Sequence, residues 1–242
     1  MDESTFTNNE STVGGAGGGA LYIDSGILTR SSFVSNLADS SGGAIRLLSG
    51  LSRIENCEFA GNQGGNAGAL DVSFATAEVV NCAFSGNAAG TGGTGGTGGA
   101  VRFSTSSSGS LINCSFQGNW ANLGGAVAVT PGSSTAISNT VIWGNSDNGA
   151  VSGGASIYAG GSATYSHSLL EFLNPPGTGN LDGTDPANDP DFTTSTNPLA
   201  APATGADLRL QAGSPAIDKG LNSENDTTFD LDGLFRIAGT SV

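Results

Sequence analysis

A large apolar residue followed three positions later by asparagine recurs at Phe6/Asn9, Phe33/Asn36, Phe59/Asn62, Phe84/Asn87, Phe116/Asn119 and Ile142/Asn145, with Leu169 continuing the apolar series. The intervals are 27, 26, 25, 32, 26 and 27 residues. Only one is long, and it holds GTGGTGGTGG at 90–99, so that stretch reads as an enlarged loop inside one repeat rather than a linker between domains.

Two further markers run in phase. A small-residue turn, Ala and alternating apolar residues recur as GGALYI (18–23), GGAIRL (42–47), AGALDV (67–72), GGAVRF (98–103), GGAVAV (124–129) and GGASIY (153–158). The approach to each large apolar residue repeats as RIENCEF (53–59), EVVNCAF (78–84), SLINCSF (110–116) and AISNTVI (136–142). None of these segments has helical periodicity, and each repeat therefore holds three short strand signals separated by turns. Such units, repeated about every 26 residues, predict an all-β chain: a right-handed parallel β-helix of about 6–7 coils over residues 1–172, whose equivalent positions stack at ~4.8 Å.

Stacking predicts columns. Leu21, Ile45, Leu70, Val101 and Val127, with Ile23, Leu47, Val72, Phe103 and Val129 two positions on, form a dry interior. Asn56, Asn81, Asn113 and Asn139 stack their amides in a structural ladder, and Asn9 through Asn145 either form another or cap the turn locally. The glycines before each Ala supply positive φ for a tight corner. Cys57, Cys82 and Cys114 share an inward column with Ser31, Thr140 and His167. Cβ atoms one coil apart lie beyond the usual disulfide range of roughly 3.5–4.5 Å, so the thiols read as free packing residues.

With 40 glycines, 12% charged and 7% aromatic residues in 242, bulk alone would give a thin core, so the columns must organise it. The net charge of −14, with Lys219 the only lysine, excludes nucleic acid and anionic membrane as natural partners. No apolar run reaches the ~18 residues of a membrane span. MDESTF carries no signal-peptide pattern, so a secreted protein containing this sequence would begin upstream of it.

The GGA and FxxN motifs together resemble the repeats of polymorphic outer-membrane proteins and autotransporter passengers. The I-x-N-C-x-F stretches resemble the parallel β-helix repeat in general, including that of pectate lyases. Downstream, NLDGTDPANDPDF (180–192), DLRLQAGSPAIDKG (207–220) and DLDGLFR (230–236) resemble the choice-of-anchor region that follows β-helices in bacterial surface proteins. These resemblances imply an extracellular or cell-surface location, as part of a larger surface protein. Residues 173–242, rich in proline and holding 10 of the 21 acidic residues, predict a loop-rich C-terminal cap on the last coil, with Leu208, Leu210 and Ile217 as contacts. An uncovered last coil would present unpaired strand edges.

The β-helix lyases and hydrolases make an enzyme the reading to test. Strand alternation puts Tyr22, Arg46, Asp71, Arg102, Ala128 and Ile157 outward on the GGA strands, so Tyr22, Arg46, Asp71 and Arg102 are the candidate ligand-binding row. One Asp between two Arg reads as an exposed ionic ladder, whereas acid/base hydrolysis wants two carboxylates about 5–10 Å apart. No catalytic residue is assigned, and His167 reads as a core or cap residue. Asp226, Asp230 and Asp232 in NDTTFDLDG are candidate calcium ligands, but the twelve-residue calcium-loop pattern fails and a solvated acidic loop is the simpler reading; no other cofactor is implied. The expected function is a noncatalytic stalk or adhesin that binds carbohydrate or another surface through its loops. The alternatives are a polysaccharide lyase or glycoside hydrolase and, with no regular Thr column to support it, an ice-binding protein.

Overall fold

A computed structural model of the chain describes residues 1–12, 17–90, 95–148, 156–224 and 227–234. The chain is all-β, a parallel β-solenoid of about six turns whose strands align into four sheets. The Phe sheet comprises Thr5–Thr7, Ser32–Val34, Glu58–Ala60, Ala83–Ser85, Ser115–Gln117, Val141–Trp143 and Leu169–Leu170. The GGA sheet comprises Leu21–Ile23, Ile45–Leu47, Leu70–Ser73, Val101–Ser104, Val127–Val129 and Ile157–Ala159. A third sheet runs from Gly26–Thr29 to Ser162–Ser166. The fourth, from Glu10–Ser11 to Ser146–Asp147, has two-residue strands, too short to leave a period in the sequence, so each coil has four strand segments where three were expected.

Equivalent residues face each other along the axis. Phe6, Phe33, Phe59, Phe84 and Phe116 pair in register, and their rings stack with centroids 4.8, 4.9, 4.7 and 4.7 Å apart. Ile142 and then Leu170 continue the stack. Leu169, expected there, pairs instead with the outward Val141. Leu28, Ile54, Val79, Leu111 and Ile137 fill the third side of the core. Each such burial stabilises by roughly 1.5–3 kcal/mol.

Polar columns close the coils. In the FxxN column Asn9 donates through Nδ2 to Asn36 Oδ1 at 2.8 Å, and the same bond links Asn36 to Asn62, Asn62 to Asn87, Asn87 to Asn119 and Asn119 to Asn145. From Asn36 onward the Oδ1 also accepts the preceding ladder residue's backbone N–H, and Nδ2 also donates to a Phe carbonyl of the previous coil. A fully buried amide is thereby satisfied at both ends.

The thiol column is Ser31, Cys57, Cys82, Cys114, Thr140 and Ser168, and the three cysteines are free and buried. Every member donates to the carbonyl two residues earlier. Ser31, Cys82, Thr140 and Ser168 each accept a backbone N–H of the preceding coil. His167, expected in this column, instead sits one residue earlier at a corner with φ 47°. It continues the column of Glu3, Arg30, Asn56, Asn81, Asn113 and Asn139, whose φ values lie between 45° and 55°. Asn is the side chain that tolerates this left-handed turn best after Gly.

The second glycine of each GGA motif serves a different purpose from the one expected. Gly43, Gly68, Gly99 and Gly125 do not have positive φ. A Cβ there would overlap the backbone of the facing two-residue strand or the next coil's glycine carbonyl, so close backbone approach is what demands glycine.

Beyond the last coil, the chain first covers the open edge. The His167 N–H donates to Thr178 O at 2.8 Å, Asn180 Oδ1 accepts the Ser168 N–H at 3.0 Å, and the Leu181 N–H donates to Ser168 O at 3.0 Å. The side chain of Glu171 accepts the Gly144 N–H at 2.7 Å, where earlier coils use a backbone carbonyl. The chain then does more than the expected cap: it runs back along the outer face of the Phe sheet. Thr196 meets Gln117, Ala203 donates to Gly86 O, Phe192–Thr194 pairs antiparallel with Asp207–Leu210, and Leu221 and Phe229 reach Asn139 and Asn81. Leu208 and Leu210 are half-buried and Ile217 is exposed, so these three contribute less to the contact than expected.

Candidate functional site

The GGA sheet brings the predicted row together in register: Tyr22, Arg46, Asp71, Arg102, Ala128 and then Tyr158. Tyr158, not Ile157, holds the outward position, because Ser156 takes the place of the motif's Ala and shifts the last copy by one residue. Ile157 lies in the core.

The row is not an exposed ionic ladder. The Asp71 side chain is 2% exposed, with Arg102 Nη1 3.5 Å from Oδ1 and Arg46 Nε 4.0 Å from Oδ2. The two guanidinium groups lie over it at 22% and 19% exposure, and Arg46 also sits over the Tyr22 ring, 6.0 Å from its centroid. Burial pushes the Asp71 carboxyl above its ordinary value, against the pull of Arg102 and Arg46. A lone buried carboxyl between two cations has ion-pair geometry, and no second carboxylate stands in the row.

Of the three calcium candidates, Asp230 and Asp232 lie within the described residues. Asp226 lies outside the described residues. Asp230 Oδ1 accepts the backbone N–H groups of Asp232 and Leu234, both at 2.9 Å, which closes a local turn. Among the described residues no three His, Cys, Asp or Glu side chains are grouped to hold a metal.

The Asn56, Asn81, Asn113 and Asn139 column forms amide pairs and also receives the C-terminal layer. Asn81 donates to Asn56, and Asn139 donates to Asn113 Oδ1 at 3.0 Å. Asn139 also holds the backbone of Leu221 at both its N–H (2.7 Å) and its C=O (3.0 Å). Gln117 does the same for Thr196, donating to its carbonyl and accepting its N–H, each at 2.8 Å.

Sequence reasoning missed Gln117 and the track beside it. The residue before each ladder Asn has positive φ in all six coils; it is Asn8 and Ser35 in the first two, then Gly61, Gly86, Gly118 and Gly144. The change to glycine coincides with the covering segment. A Cβ on Gly61, Gly86 or Gly118 would overlap Thr204, Ala203 or Thr196. The FxGN spelling of the later repeats was the available signal.

Between this layer and the Phe sheet lie two grooves. One, of about 490 Å³, is lined by Asn139, Thr140, His167, Leu208, Ile217 and Lys219 among others. The other, of about 1040 Å³, lies over the earlier coils, from Glu3, Thr5 and Arg30 to Ser115, beneath Asp207–Arg209 and Phe229–Gly233. No helix among the described residues is long and apolar enough to cross a membrane. No protein-family model, no curated protein and no solved structure matches this chain.

Proposed function

We propose that the chain is a noncatalytic module of an extracellular or cell-surface protein, a rigid scaffold that binds a polysaccharide or another surface. The reading takes the coils as right-handed, the hand that parallel crossovers adopt, and residues 173–242 as the anchor-like region of the resemblance. The observation that carries it is the use of polar groups. Asparagine, thiol and hydroxyl columns are consumed in coil-to-coil bonding, and the one acidic side chain of the GGA row is buried between two arginines. What varies from coil to coil is the outward side chains and the turns, as in a solenoid that displays a surface.

The test is incubation with plant, algal and bacterial polysaccharides, assaying reducing ends and unsaturated products. No turnover is expected. Turnover abolished by Asp71→Ala in a protein that keeps its unfolding transition would overturn the reading in favour of a lyase or hydrolase.

A further inference from the structure

We propose that the outer edge of the first coil is a docking seat for a strand of the chain's own repeat spelling, supplied by another polypeptide. The occupant is an extended segment with a small hydroxyl or thiol residue two before a Phe and an Asn three after it.

The seat repeats an interface that the ladder makes five times within the chain. At each junction the ladder Asn donates through Nδ2 and its backbone N–H to the Oδ1 of the next Asn, as Asn62 does to Asn87 at 2.9 Å for both bonds. In the neighbouring column the Ser4 N–H donates to Ser31 Oγ at 3.1 Å, and the Cys114 N–H to Thr140 Oγ1 at 3.2 Å. The polarity is fixed: side-chain acceptors face the coil before, and N–H donors face the coil after.

The first coil carries the same set outward. Asn9 is exposed and spends its Nδ2 and N–H on Asn36, at 2.8 and 3.0 Å, which turns its Oδ1 to the open side. Ser4 gives its hydroxyl hydrogen to Asp2 O, as Ser31 does to Thr29 O, so Ser4 Oγ takes the acceptor place that Ser31 Oγ fills one coil later. The Ser32 N–H donates to Ser4 O and the Asn8 N–H to Val34 O. By the alternation of a parallel ladder, Thr5 and Thr7 therefore direct their backbone N–H and C=O groups away from the second coil. Phe6 lies on Phe33 through one ring face, with centroids 4.8 Å apart. Phe6, Leu21 and Ile23 are only half-buried, whereas their in-register partners Phe33, Ile45 and Leu47 are fully buried. An open strand edge with apolar ends is a site for strand addition.

A second copy of the chain does not fit this seat. At its last edge, Asn180 Oδ1 already accepts the Ser168 N–H at 3.0 Å and Glu171 accepts the Gly144 N–H at 2.7 Å, so the donors that the seat requires are taken. Two first coils set edge to edge would face acceptor with acceptor. A separate strand with the F-x-x-N spelling supplies what is needed: a ring for the open face of Phe6, an amide and an N–H for Asn9 Oδ1, and an N–H for Ser4 Oγ.

The experiment titrates the full chain by calorimetry with a peptide copying residues 30–38, RSSFVSNLA, which carries Ser31, Phe33 and Asn36 and no cysteine. One-to-one binding is expected, with amide exchange at Thr5 and Thr7 slowed about tenfold or more. Asn36→Ala or Phe33→Ala in the peptide should each weaken binding about tenfold. Asn9→Ala in the chain should do the same, and combining it with the Asn36→Ala peptide should add little, because both remove one contact. The peptide variants leave the chain intact, so the outcome does not depend on how Asn9→Ala folds. Absence of binding, equal binding of a scrambled peptide, unchanged affinity of the Asn36→Ala peptide, or protection that spares Thr5 and Thr7 would each overturn the proposal. Sedimentation of the chain alone as a dimer that the peptide dissociates would overturn it in favour of a second copy. Turnover of a polysaccharide would overturn the noncatalytic reading and leave this docking seat standing.

Discussion

At the residue scale, the position two before each Phe requires a small side chain that donates to a carbonyl two residues back and, at Ser31, Cys82, Thr140 and Ser168, also receives an N–H from the coil before. Thiols and hydroxyls both do this, which explains why Ser31, Cys57, Cys82, Cys114, Thr140 and Ser168 interchange along one column. Cys82→Ser is therefore expected to stay within about 1 kcal/mol of the parent, whereas Cys82→Ala strands the buried Cys57 N–H, the Val80 carbonyl keeping the Asn56 N–H, and costs about 1–3 kcal/mol. Urea unfolding midpoints check both, and equal losses in the two variants would contradict this account of the column. The three cysteines were legible from sequence because three copies of NCxF agree. His167 was misplaced because an extra residue precedes Leu170 in the last repeat, and two adjacent leucines gave the pattern no means of choosing between them.

At the scale of elements, the left-handed corner before each ladder asparagine separates two reasons for glycine. Asn8 shows that a non-glycine residue can take the corner's φ, so at Gly61, Gly86 and Gly118 it is the covering segment that forbids a side chain. Gly118→Asn should then leave the solenoid's unfolding transition within about 1 kcal/mol, while its Cβ pushes Thr196 off Gln117. Limited proteolysis should cut faster between residues 190 and 210 in this variant than in the parent. Unchanged protection would show that the segment does not depend on that contact. The sequence revealed each coil because a repeat states its own register six times. It concealed the C-terminal layer because that segment occurs once, and most of its contacts use backbone groups that carry no residue signature.

At the scale of the whole molecule, stability depends on how the solenoid's last edge is closed. Glu171, 8% exposed, supplies the acceptor that the next coil would have given to the Gly144 N–H. Burial raises its carboxyl above the ordinary 4.5; the Gly144 bond opposes the shift and Asp189 adds to it. A raised carboxyl keeps its proton longer in the folded chain than in the unfolded one. Its stabilising contribution is complete below the ordinary value and is lost as pH rises through the folded one. Glu171→Gln keeps the acceptor and removes the titration, so its stability relative to the parent should rise with pH above about 4.5 and be level in more acid solution. Parallel pH–stability curves for the two proteins would contradict this. The returning C-terminal layer also sets the mechanics: Met1 pairs with Ile27 in the opening turns, and Asp230–Gly233 borders the same groove as Glu3. Tension applied between Met1 and Leu234 is thus taken first by the outer layer, which would peel from its glycine track contact by contact while the stacked rings beneath it carry no load.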